Sequence, residues 1–440
     1  MTIACSDSCG VAEPNSSGIK VIVVGLGFAG LATAIECYRK GHTVIGFEQY
    51  PQQQHKGDIM GIAENGMKIM SRWDSGSVSN AINEIGSENT DIDVYNEAGD
   101  LQQRISLSTR GRSNPCFAPR AEAIQIVYNY ARTLGLDLRF NTRVDAYWET
   151  EAQAGIIVGS DRIAADCVVA CDGVHSQARR IITGEDAVAL ESGSAVFRSY
   201  FQSQELADDP DAHWILDDAA HRDLATVHIA KGAYALISVL GNGQYISWNI
   251  SHQDSGGASK SWLQSVDVED ALCAIENWPI KEKLATVIKK TPARKCLHHQ
   301  LFSAKPLRTW VSKGARMIVL GDAAHPMLPV SGQGASQAIE DAAVLAICLE
   351  RGTKMNVPLS IRATEKIRYG RATAIQATSV HTQYLYLDHG LKGVSEEETA
   401  RIFSGNPMNL EYDCQAQAYR EFPKVVEAIE SGIEYLPTGC

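Results

Sequence analysis

Hydrophobic and polar positions along this chain follow two different periods, and the changeovers mark its elements. Val21-Ile-Val-Val24 is a continuous apolar run that ends in Gly25-Leu-Gly27-Phe-Ala-Gly30, after which residues 31–40 are helix formers. Gly41 stops that helix, and His42-Thr-Val-Ile-Gly-Phe-Glu48 predicts a second buried strand. Two later runs close in the same manner. Residues 163–171 end in Asp172-Gly173, residues 316–320 end in Gly321-Asp322, and each leads into a helix start. Strand, turn and helix repeated in this order predict a parallel α/β sheet.

From 190 to 300 the period falls to two. Residues 194–201, 225–230 and 234–240 alternate, and Gly241-Asn-Gly243 before residues 244–250 is a hairpin signal. These predict an antiparallel sheet with one face turned to a partner. Residues 262–290 read as helical, with Trp262, Leu263, Val266, Val268, Leu272 and Ile275 on the apolar face. After Glu340 the pattern is mostly helical, ending in a long helix over residues 419–433 that covers the core. The expected organisation is a tail at 1–18, a Rossmann-type domain at 19–190, the antiparallel sheet domain at 191–300, a return to the first domain at 301–385 and a helical segment at 386–440.

Composition narrows the function. The chain has 440 residues, 45% hydrophobic and 21% charged, which is ordinary globular usage. A net charge of −12 argues against general binding to nucleic acid or anionic membranes. No basic, apolar leader opens the chain, and no apolar run approaches the ~20 residues of a membrane span. The 11 cysteines are scattered without zinc-ligand spacing, and His298-His299 lack further ligands, so reduced thiols, a cytoplasmic setting and no metal are expected.

The first glycine run carries chemistry because of its context. Gly25 permits a tight turn, Gly27 lets backbone approach a pyrophosphate, and Gly30 lets helix pack on strand. The helix N-terminus turns unpaired N–H groups and a positive dipole end toward phosphate. Glu48 follows at roughly the 20-residue spacing of an acid that accepts ribose hydroxyls. Dinucleotide binding is the reading. The Asp172-Gly173 and Gly321-Asp322 turns are each compatible with a routine turn, and Asp172 with a plain helix cap.

Together the three segments resemble the fingerprints of the class A, single-component flavoprotein monooxygenases of the salicylate-hydroxylase type. The glycine run matches, as do Asp172-Gly173 with Ser176 and Arg179, Gly321-Asp-Ala-Ala-His-Pro326, Pro306-Leu307, Trp310 and Gln337-Ala-Ile-Glu-Asp341. The likeness spans about residues 19 to 420. It departs at Glu64-Asn65, where Pro-Asn is usual, and at Ser238-Val239, where Tyr-Pro is frequent.

The resemblance implies FAD held by Gly25, Gly27, Gly30, Glu48, Gly61, Arg120, Asp322, Gly334 and Ala335. Asp172 and Arg179 serve FAD and a transient NADPH or NADH. It implies insertion of one oxygen atom of O2, by way of a flavin hydroperoxide, into a small aromatic or indole-type molecule of secondary metabolism. The catalytic candidates are Arg198, whose guanidinium binds a phenolate or polarises a peroxide oxygen, and Asp58, a carboxylate near the flavin loop. Their plain alternatives are a strand-edge ion pair and a turn residue. His325 reads as structural. A monomer or homodimer is expected. The alternatives are a flavin oxidase or dehydrogenase and a non-catalytic nucleotide binder. No Trp has another Trp two residues away, so a halogenase signature is missing.

Overall fold

The apolar run after the tail forms the middle of a five-stranded parallel sheet. Its order is Met317–Val319, Cys167–Ala170, Lys20–Val24, Thr43–Phe47 and Asp137–Arg139. The computed structural model describes residues 16–52, 59–87, 91–106, 116–184, 190–218, 223–261, 264–390, 392–404 and 410–435. Val21, Ile22, Val23, Cys167, Val168 and Val169 are wholly buried, as continuous apolar runs must be when helices cover both faces. The helix Phe28–Arg39 packs on Arg120–Thr133 and on Gly334–Gly352. Gly334–Gly352 has almost every position buried, so it is a core helix without an amphipathic stripe. A three-stranded antiparallel meander, Ala146–Glu149, Ala154–Val158 and Asp161–Ala165, precedes the second strand of the parallel sheet.

The alternating region builds a seven-stranded sheet in the order Leu297–Ser303, Leu190–Gln202, Tyr245–Gln253, Ala233–Leu240, Leu224–Ala230, Asp91–Asn96 and Leu101–Ile105. The expected hairpin is present: Leu240 pairs with Tyr245, and Gly241, Asn242 and Gly243 all take positive φ, with Asn242 N donating to Asp223 Oδ1 at 2.9 Å. Two strands from far upstream extend this sheet, and Asp91–Asn96 lies parallel to Leu224–Ala230. Alternation sorts the side chains. Tyr234, Leu236, Ser238 and Leu240 face a cavity, whereas Ala235, Ile237 and Val239 face a second core.

Residues 262–290 form two short helices, Val268–Cys273 and Lys281–Ile288, with Pro279 between them removing a backbone donor. Leu272 and Ile275 pack in the second core with Val266 and Val268 against it; Trp262 and Leu263 lie outside the described residues. The last long helix is Cys414–Ser431, begun by Asp413, whose carboxylate accepts from Gln415 N and Ala416 N. It packs on Gly334–Gly352 and on the helix Val357–Tyr384.

Under the turn that precedes Gly334–Gly352 lies a buried ionic network. Arg368 pairs with Glu340 and, through Nε at 2.9 Å, with Asp341; Arg371 Nε and Nη2 reach Glu340 at 2.9 Å. Asn65 Nδ2 donates to Glu340 at 2.5 Å, and His325 Nε2 donates to Asp341 at 2.6 Å. Burial by itself pushes both carboxyls up, but the two guanidiniums, and His325 beside Asp341, win and hold them below their ordinary values. Removing one partner would strand a buried charge at about 3–5 kcal/mol. His325 is buried within this network, and Asn65 ties the helix Glu64–Met70 into it as well. Among the described residues, the cysteines are free and all but Cys273 are buried.

Candidate functional site

Because the strands of the first sheet are parallel, their carboxyl ends share one edge, and the three turns meet there. Gly25 N donates to Phe47 O, Cys171 N to Val24 O and Leu320 N to Ala170 O, so the strand ends are fixed to one another. Gly25 has φ +88°, and a Cβ there would sit 2.5 Å from Cys171 O. At Gly30 a Cβ would come within 1.8 Å of Gly25 O, so helix and turn touch with no room for a side chain. Gly27 is the opposite case: a Cβ would meet nothing within 4 Å, and the residue lines a cavity of about 470 Å³. Glu48, just past its strand, accepts from Leu26 N at 2.9 Å and Tyr50 N at 3.1 Å.

The other sequence candidates divide into those on the cavity and those behind it. Gly61, Arg120, Asp322, Gly334 and Ala335 line it. Gly61 lies on the strand Ile59–Ile62, opposite Phe117, with its Cβ position 3.4 Å from Gly332 O. Arg120 opens the helix Arg120–Thr133. Asp322 opens onto the cavity yet is crowded by protein. Burial raises its carboxyl, and His325, Arg120 and Arg179 pull it back only in part. Gly334 leaves open space where a Cβ would be, and the helix it begins has no acid in its first turn.

Asp172 and Arg179 do not line the cavity. Asp172 Oδ2 accepts from Gln177 N at 3.0 Å and Ala178 N at 3.2 Å, bracing the start of the helix Ala178–Thr183 across the turn. Arg179 is buried rather than a surface cation. Its Nε donates to Ala323 O at 2.6 Å, and Nη2 to Asp322 O and Val174 O, which clamps the two turns together. Burial lowers its basicity, opposed by Asp172 and Asp322.

The seven-stranded sheet supplies the facing wall. Arg198 is buried on Leu190–Gln202, paired with Asn249 on the next strand, which in turn pairs with Leu236. All three line the cavity, forming a row that runs from charge to amide to hydrocarbon. Asp58 lies outside the described residues. Sequence reading missed Asn249, Ser251 and His299, which line the wall, and Tyr234, whose OH donates to Gln383 Oε1 at 3.0 Å and is pushed up to about 12 by burial. The alternation at 245–253 marks which residues share a face, but nothing local says that this face is the wet one. Among the described residues, no cluster of three His, Cys, Asp or Glu could hold a metal, and no helix is long and apolar enough to cross a membrane.

A glycine-lined edge thus faces a sheet wall of mixed apolar and polar side chains carrying buried Arg198, an arrangement suited to a nucleotide cofactor beside a small-molecule site. The FAD binding domain family matches residues 18–354. The FAD-dependent monooxygenase notI of Aspergillus sp. (strain MF297-2) is 40% identical over 98% of each chain. Notoamide E oxidase notB of the same strain is 39% identical over all of this chain and 96% of its own. Crystalline CtdE in complex with FAD and substrate 4 superposes with a TM-score of 0.90 at 38% identity, over 94% of this chain and all of that one. The salicylate hydroxylase substrate complex, at 19% identity and a TM-score of 0.74 over 93% of this chain and 98% of that one, shows the shared fold. The chain belongs to the FAD binding domain family, and its relatives of about 40% identity include FAD-dependent monooxygenases. It is an FAD-dependent monooxygenase.

Proposed function

We propose that this monooxygenase uses NADPH or NADH as a transient reductant and adds one atom of O2 to an electron-rich aromatic or indole-type small molecule. The carrying observation is the cavity itself, with glycines on one side and, on the other, a sheet wall that sets Val227, Leu236 and Leu240 beside Asn249, Ser251, His299 and buried Arg198. The residues present fit FAD. Gly27 and Gly334 leave space where side chains would stand, and neither the helix Phe28–Arg39 nor Gly334–Gly352 has an acid in its first turn to repel phosphate. In this reading Gly25, Gly27 and Gly30 hold the pyrophosphate, Glu48 the ribose, and Arg120, Asp322 and Gly61 flank the chain and ring. The Gly334 and Ala335 N–H groups meet negative charge on the ring.

When bound, the flavin supplies hydride acceptance and oxygen activation. The protein's own residues do the rest. Arg198 is a permanent cation that orients a phenolate, or an acceptor on the substrate, toward the facing wall. Leu236, Val227 and Leu328 keep water from the reacting face. Asp58 accepts a hydrogen bond from a phenol or indole N–H. Asp172 braces a turn, and Arg179 acts through the two turns it clamps.

The test is aerobic NAD(P)H consumption by the FAD-loaded protein against phenols, benzoates and indoles, with product masses read. Consumption coupled to a gain of one oxygen atom is expected. The name of notoamide E oxidase favours one second reading, a flavin oxidase. Flavin reduction by a substrate without NAD(P)H would establish it and overturn the first.

A further inference from the structure

The apolar end of the cavity is closed by chain that lies beyond the family's shared domain, whose match ends at residue 354. The helix Val357–Tyr384 runs on into a π-helical turn, Leu385–His389, a local widening that changes which side chains face inward. Tyr386 on that turn is 1% exposed and lines the cavity. The turn is latched to the substrate sheet. Gly232 N donates to Leu387 O at 2.7 Å, and Gln253 Nε2 donates to Asp388 Oδ1 at 3.1 Å. Gly390, at φ +56°, lies so close that a Cβ would fall 2.8 Å from Lys231 N.

A second ring is held by the same arm. Tyr234, on the sheet, donates its hydroxyl to Gln383 from the end of the long helix. The rings of Tyr234 and Tyr386 stand 5.1 Å apart at 81°, which makes a corner with one wall from the sheet and one from the arm. Val227, Leu236, Val330 and Ile402 complete its apolar sides. Tyr234 is 6% and Tyr386 1% exposed, so a flat aromatic ring at this corner touches the small part of each tyrosine that reaches the cavity. Arg198 and Asn249 lie on the strands to the other side of Leu236, so a ring seated in the corner is aligned against the polar end of the row.

We propose that Tyr386 is a specificity-determining residue: the substrate's aromatic ring packs in the corner it forms with Tyr234, and the C-terminal arm sets the size of ring accepted. This rests on the cavity being the monooxygenase's substrate site. Relatives that share the FAD-binding domain would then differ in substrate through the chain after residue 354, without change to the cofactor side.

The experiment titrates oxidised, FAD-loaded protein with 3-methylindole and with the three-ring carbazole, reading the flavin absorbance change. Tyr386→Phe keeps the ring and should bind both within about twofold of wild type. Tyr386→Leu should bind 3-methylindole roughly fivefold to tenfold more weakly at equal FAD content. Ile402→Ala, at a partly buried side chain packed against the corner, enlarges it and should shift preference toward carbazole by about threefold or more. Wild-type affinity for both rings in Tyr386→Leu and Ile402→Ala, or failure of the wild type to bind either ring, overturns the assignment. The titration needs neither NAD(P)H nor O2. Ring binding without oxygenation would therefore sink the reaction proposed above and leave the corner standing, whereas oxygenation that ignores these substitutions would sink the corner alone.

Discussion

The two walls of the cavity are made of different material. The nucleotide wall presents glycine backbone, Gly27 and Gly334 among it, and is held from behind by Gly25 at φ +88° and by Gly30, whose Cβ would strike Gly25 O at 1.8 Å. The facing wall is side chain, presented from a sheet whose alternation separates cavity-facing Tyr234, Leu236 and Ser238 from core-facing Ala235, Ile237 and Val239. At Gly25 and Gly30 any added atom displaces a strand or helix, whereas Gly27 and Gly334 face open space, where an added atom would instead fill the cavity. Side-chain walls can be resurfaced one residue at a time while the opposite face keeps its packing. One molecule can thus keep a fixed cofactor side and a variable substrate side.

The largest effect should come from breaking the backbone wall. Gly30→Ala is expected to cost upwards of ~3 kcal/mol by forcing helix from strand, with loss of bound flavin. Flavin absorbance per protein and the thermal unfolding midpoint check it, and retention of both would remove the basis of the contrast. On the other wall, Arg198→Met should lower kcat/KM by about 10²- to 10³-fold while flavin content and unfolding stay at wild-type values. Steady-state kinetics beside a flavin titration read that split; parallel loss of flavin would place Arg198 with the cofactor.

A third effect belongs to the core-facing side of the same sheet. His228 is buried against Tyr95, and burial lowers it from 6.5 to about 4, with Lys283 adding to the shift. Its folded value lies below its unfolded one, so the unfolded chain takes up the proton first. The stability it preserves is whole above pH 6.5 and falls as the pH drops toward 4. His228→Phe should flatten that part of the stability-against-pH curve from denaturant titrations; an unchanged slope would assign the acid sensitivity elsewhere. The smallest effect is Asp172→Ala, which removes hydrogen bonds to the turn before Ala178–Thr183 worth about 1 kcal/mol and should leave flavin content intact. A flavin-free Asp172→Ala protein with normal unfolding would instead make Asp172 a cofactor residue.

The nucleotide wall was legible from sequence because its constraints are local. A glycine at a positive φ, or one in helix–strand contact, is required within a ten-residue stretch, and parallel strand ends then gather the three turns. The alternating strands and their hairpin were legible for the same reason. The rest depends on distant partners. Asn65 meets Glu340 across 275 residues of chain, and Arg368 and Arg371 neutralise Glu340 and Asp341 from a helix whose own pattern reads as ordinary. Asp91–Asn96 joins the substrate sheet in parallel through a pairing no turn announces. Asp172, readable from sequence both as a ligand-facing acid and as a helix cap, spends one carboxylate oxygen on Gln177 N and Ala178 N, a pairing that the Asp-Gly step alone does not announce.

The most direct measurement is the fate of isotopically heavy dioxygen in a single turnover of the FAD-loaded, NAD(P)H-reduced protein with a bound indole or phenol. The account predicts one heavy oxygen atom in the organic product and the other in water. A product without the label, with the heavy oxygen recovered as hydrogen peroxide, would contradict it.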